Sequence, residues 1–217
     1  MGATIGSLLP LAVGVAISPI PIIAVILMLL STHARVTSIG FAVGWVAGIA
    51  VATVIFVFVG GAVNGSTGSA AGWITLALGV LLLAEGIREW RHRESDGSVP
   101  KWMSAIDEMR TVSAVGIGFA LAAINPKNLM MCAAAGVAVG SASLSVTDEV
   151  IAVVVFVVIA AVSVVIPVVG YQIAAARLAG PLAALKAWLQ TNNKSVMAVL
   201  ILVIGVVLIG KGIGAVS

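Results

Sequence analysis

The chain has 217 residues, of which 61% are hydrophobic and only 9% charged, with a formal net charge of +3. Soluble domains carry roughly a quarter charged residues, so this composition excludes a water-soluble globular fold. A single cysteine, Cys132, excludes an intrachain disulfide and a CxxC redox pair.

Apolar runs long enough to cross a hydrocarbon core of roughly 30 Å predict six spans. The first covers residues 6–30. It is too long for a signal peptide and no Lys or Arg precedes it, so it is read as retained. Within it stands Ser18-Pro19-Ile20-Pro21. The second span, 36–60, follows Arg35. The third, 69–90, ends with Glu85 one turn before Arg88, at the interface. A charged loop over residues 91–111 follows, with Arg91, Arg93, Lys101 and Arg110, and a flexible turn at residues 94–99. The fourth span, 112–139, contains Asn125-Pro126-Lys127-Asn128 and then Cys132, a small apolar filler. The fifth covers 148–171. Residues 172–193 carry Leu178, Leu182, Leu185 and Leu189 at helical spacing beside Arg177 and Lys186, which predicts an amphipathic helix lying on the membrane surface. Pro181 is expected to interrupt it. The sixth span covers 194–214.

Nine basic residues fall on one face: Arg35, then Arg88, Arg91, Arg93, Lys101 and Arg110, then Arg177, Lys186 and Lys194. The other face has Lys211 alone. Under the positive-inside rule the basic loops are cytoplasmic and both termini extracytoplasmic. Arg93 is then expected inside, and Gly65 and Ser143 outside. Trp90, Trp102 and Trp188 fit the inner aromatic belt and Trp73 the outer one. The spacings Gly44–Gly48, Gly136–Gly140 and Gly210–Gly214 predict close packing within the bundle.

The halves resemble each other. Residues 16–21 read Ala-Ile-Ser-Pro-Ile-Pro and residues 123–128 Ala-Ile-Asn-Pro-Lys-Asn, while LALGVLLLAEGI at 76–87 matches LVIGVVLIGKGI at 202–213. Three spans per half force the halves to be inverted. The expected fold is therefore an all-α polytopic membrane protein, one transmembrane domain over 1–217. Six helices form two inverted three-helix repeats, about 1–90 and 112–217, with the first and fourth helices broken by proline. In transporters built this way the site lies where the halves meet.

Both breaks are expected near the bilayer centre. A proline in a helix interior costs about 3 kcal/mol, and the carbonyls it frees need polar partners. A lysine at a span centre costs roughly 2.5–3.5 kcal/mol, and no Asp or Glu lies near Lys127 in sequence. An unpaired ammonium beside two half-helix N-termini suits an anionic group; the bland alternative is a lysine held by the freed carbonyls. The expected substrate site comprises Ser18, Pro19, Pro21, Asn125, Pro126, Lys127 and Asn128, with Lys127 attracting the headgroup, Asn125 and Ser18 donating or accepting hydrogen bonds, and the prolines holding the helices open. His33 and His92 form no metal constellation. No catalytic triad, carboxylate pair or phosphate loop is present, so neither an enzyme nor a cofactor is expected, and no nucleic-acid motif is found.

Ser-Pro-x-Pro in the first span and Asn-Pro-Lys in the fourth resemble the lysine-exporter (LysE) superfamily. Within it the chain is similar to the GAP family of actinobacteria, the sulfolipid- or glycopeptidolipid-addressing proteins. The resemblance covers essentially the whole chain and implies export of a cell-envelope lipid or glycolipid across the plasma membrane. The superfamily's amino-acid exporters make a small polar solute the competing substrate. The lone Cys132 excludes the reductant-carrying branch of similar architecture. A third reading is a non-transporting scaffold that holds lipid-synthesis enzymes through the basic loop. The sequence leaves a homo-oligomer open.

Overall fold

The computed structural model describes residues 1–64, 70–92 and 110–216. Gly65, Arg93, Lys101, Trp102 and the turn expected at residues 94–99 lie outside them. The described residues form helices α1 (Gly2–Ala16), α2 (Pro19–Leu29), α3 (Ala34–Asn64), α4 (Ala70–Arg91), α5 (Thr111–Ala123) and α6 (Pro126–Gly140). A helical run, Val146–Val216, then carries α7 (Val146–Ala175) and α8 (Lys194–Val216). By length and composition α3, α4, α7 and α8 can each cross a membrane. The pairs α1–α2 and α5–α6, bent by 51° and 63°, bring the number to six if each pair is one span. The chain is a multi-pass membrane protein. Phe58 is 74% exposed and Val112 82%, a surface suited to lipid and not to water.

Proline alone does not break these helices. Pro10, Pro167 and Pro181 all sit inside helical stretches. At Pro19 and Pro126 the preceding residue is pushed into extended backbone, Ser18 at ψ 112° and Asn125 at ψ 119°, the conformation that a following proline favours. Each proline then becomes the first residue of a new helix, where its missing N–H costs nothing.

The segment expected to lie on the membrane surface is helical through Pro181, which does not interrupt it. The break comes at Ala174 instead (φ −142°, ψ 48°), at the end of the apolar run and just before Arg177. Leu182 and Leu189 are buried and Leu178 packs against the core, but Leu185, at the edge of the stripe, is 42% exposed.

Contacts sort the helix ends onto two faces. The Gln172 amide donates to the Arg35 carbonyl, and the Lys194 ammonium to that of His92. These gather Arg35, Arg88, Arg91, Arg177 and Lys194 at one end of the bundle. At the other end the Lys211 ammonium donates to the Ser7 carbonyl at 2.7 Å, and Gly72 lies against Ala215. Glu85 and Arg88 form an exposed ion pair at 3.2 Å, worth a few tenths of a kcal/mol.

Helices in lipid gain little from hydrophobic association, so small residues that allow close backbone approach carry the packing. Gly44 and Gly48 lie on the α5 backbone at Val115 and Phe119, and Gly136 and Gly140 on α3 at Thr53 and Val57. Gly210 and Gly214 face open space, so the third expected packing pair is not one. Helices α4 and α8 pair antiparallel. Gly79 meets Ile209 and Gly205 meets Leu83; Gly86 meets Leu202 and Gly212 meets Leu76.

Candidate functional site

The two helix breaks meet. Ser18 is the N-cap of α2, yet its hydroxyl does not cap that helix. It accepts a hydrogen bond from the Lys127 ammonium at 3.1 Å, across 109 positions of sequence. The second contact of the ammonium is the Met197 sulfur at 3.5 Å, a weak acceptor. An ammonium has three donors, and no ion pair to Lys127 exists among the described residues. Lys127 is 4% exposed and Ser18 1%. One cation from α6 therefore ties together the break between α1 and α2 and the start of α8.

The asparagines serve their own helix. Asn125 Oδ1 accepts from the Lys127 backbone N–H at 3.1 Å and so caps α6. At the break the Asn125 N–H bonds to the Ala120 carbonyl, one residue further back than in a regular α-helix. That frees the Leu121 carbonyl, and the Asn128 amide reaches back to donate to it at 2.9 Å. The Asn128 side-chain oxygen, Oδ1, is buried with no hydrogen-bond partner among the described residues. Pro19 and Pro21 are buried and Pro126 is exposed.

Depth follows from neighbours. Gly14 lies against Ile204 and Met131, and Ile204 stands one residue from the midpoint of Lys194–Val216. Ser18 is one turn beyond Gly14, and Met197 two turns before Ile204, both toward the basic face. The ammonium thus sits on the basic side of the centre.

Of the residues expected at the site, Ser18 and Lys127 are in direct contact, and Asn125 and Asn128 organise the backbone that carries Lys127. Met197 was not foreseeable. It is an ordinary apolar residue of α8, and only the fold brings its sulfur to the ammonium.

Residues 8–214 match the family model described as Sap, sulfolipid-1-addressing protein. Neither the curated proteins nor the solved structures yield a match to the chain.

Proposed function

The chain belongs to the sulfolipid-1-addressing protein family, and from that membership we propose that it moves an anionic cell-envelope lipid or glycolipid across the plasma membrane. The observation that carries the reading is the buried Lys127 ammonium, held among the described residues only by a hydroxyl and a thioether where two helix breaks meet. An anion adds a Coulomb attraction to the ammonium that a hydroxyl and a thioether lack, and that attraction is large in a buried, low-dielectric site. A sulfate, phosphate or carboxylate would therefore displace Ser18 and Met197 from the ammonium. Since Ser18 belongs to the first half and Lys127 to the second, that exchange would loosen the halves from each other as the headgroup enters. The Asn128 carbonyl oxygen is available to a sugar or lipid hydroxyl.

The architecture behind this reading is a pair of inverted three-span repeats. Two observations support it. Pro19 and Pro126 head equivalent half-helices behind residues of nearly the same backbone conformation. The α4–α8 contacts also come in exchanged pairs: moving both partners of Gly79–Ile209 by the 126 positions that separate Gly79 from Gly205 yields Gly205–Leu83, and Gly86–Leu202 yields Gly212–Leu76 in the same way.

The basic face is the cytoplasmic one in this reading, with both termini outside, from the placement of Lys and Arg. Cysteines placed at Arg35 and Ser143 test it in sealed cells. A membrane-impermeant maleimide should label position 143 and leave position 35 unlabelled until the cells are opened; the reverse pattern overturns the orientation. Buried Cys132 adds no background.

Transport is tested by reconstituting the purified chain in vesicles that contain a fluorescent phosphatidylglycerol or phosphatidylcholine. Exposure to a membrane-impermeant quencher reports lipid that has changed leaflet. Phosphatidylglycerol should move at least tenfold faster than phosphatidylcholine. No protein-dependent movement of either would favour the scaffold reading, which rests on the basic loop.

A further inference from the structure

Two grooves open sideways between α3 and α7. One, of about 570 Å³, has Ile39, Val43 and Ala47 on one wall and Val165 and Val169 on the other. The second, of about 540 Å³, has Val146, Val150 and Val154 facing Phe58 and Ala62. The helices run antiparallel along these walls, so each groove opens toward one face of the bundle.

The linings repeat. Ile39, Val43 and Ala47 stand 107 positions before Val146, Val150 and Val154, and Phe58 and Ala62 stand 107 before Val165 and Val169. Pro19 and Pro126 have the same separation. The grooves are close in volume and alike in wall chemistry, each within the size range of small-molecule ligand sites.

Their rims are not twins. Arg35 is exposed one turn before Ile39, so it continues the stripe Ile39–Val43 to the basic face. Gln172 lines the same mouth and ties to the Arg35 carbonyl. The second groove carries Glu149 in its wall, one turn into α7 beside Asp148. Apolar walls open to the bilayer suit an acyl chain, and the two rims sort the headgroups that can follow it.

We propose that the groove between Ile39–Ala47 and Val165–Val169 binds the acyl chain of an anionic lipid with its headgroup at Arg35, while the Glu149 groove disfavours the same lipid. The inference rests on the lipid-transport reading and gives it a direction. Loading occurs at the Arg35 groove, and the acidic twin is where a lipid, once across, is least retained.

The test is photolabelling of the intact chain in nanodiscs, with phosphatidylglycerol or phosphatidylcholine carrying a diazirine in one acyl chain. Labelled positions are read by peptide mass spectrometry. A single basic residue near the headgroups changes anionic-lipid occupancy by about fivefold. Phosphatidylglycerol should therefore label 39–47 and 165–172 about fivefold more than 54–62 and 146–154, and phosphatidylcholine should label the two grooves alike. Arg35→Gln, an exposed change that leaves packing alone, should reduce the preference, and Arg35→Gln combined with Glu149→Gln should erase it. Ala47→Trp should remove labelling from its own groove and leave the twin as the internal control for folding. Uniform labelling of all lipid-facing positions, equal labelling of both grooves by phosphatidylglycerol, or links between copies of the chain in place of lipid would each overturn it. Groove labelling without leaflet exchange in vesicles would keep this inference and remove the transport reading. Exchange without groove labelling would do the reverse.

Discussion

Lys127→Met should lower phosphatidylglycerol movement in vesicles by about 10- to 100-fold, the range that losing a hydrogen bond to a charged group implies, while Lys127→Arg should stay within about tenfold of the parent chain. Methionine keeps similar length and removes the charge. Arginine keeps the charge and changes its geometry, in a site where the side chain is 4% exposed. The same Met substitution should leave thermal stability unchanged or raise it, because burying a charge with no counter-ion is costly and an apolar side chain of similar length escapes that cost. Activity and stability therefore move apart, which distinguishes a recognition role from a structural one. A Met variant that moved lipid at the parent rate would return Lys127 to a lysine that merely fastens two helices.

Gly44→Ala and Gly210→Ala should act with opposite sign on stability. A Cβ at Gly44 would collide with the Val115 carbonyl oxygen. That atom belongs to the α5 backbone and yields only if α3 and α5 separate, so the expected loss is about 1–3 kcal/mol. A Cβ at Gly210 meets nothing within 4 Å, and alanine there gains up to about 1 kcal/mol of helix propensity. Cys132 supplies the readout. It is the only cysteine and fully buried, so a thiol-reactive dye reports unfolding on heating in detergent. Equal shifts for the two variants would remove the account of α3–α5 packing.

Much of this was legible in the sequence, for reasons that differ by element. The spans follow from apolar length, and their bounds move by a few residues because the helices run past the hydrocarbon into the interface. The breaks were legible because Ser18 and Asn125 precede prolines in matching contexts. Pro181 misled, since a proline is a permissive signal and not a sufficient one. Ala174, where the chain does turn, has no proline or glycine to mark it. Lys127 stood out by its cost in a span, and the repeat suggested that its break would lie near that of Ser18. The division of labour among its neighbours was hidden. Whether Asn125 turns to its own helix or to the substrate site expected around Lys127 depends on a hydrogen bond of 3.1 Å that spacing does not encode.

The α4–α8 seam reads like a palindrome. Glycine from one helix meets a bulky residue of the other, and at the next step of the pair the roles are exchanged. Two identical copies of a three-span chain, inserted in opposite senses, would make this seam with each other. Such a pair has no built-in sense of up and down. The joined chain acquires one through residues that do not repeat: Lys127 stands where the first half has Ile20, and Glu149 where it has Ala42. In the proposed transporter, polarity would thus be written in single side chains laid over an inverted-repeat frame nearly indifferent to direction, and exchanging a few of them would be a shorter route to reversed transport than rebuilding any helix.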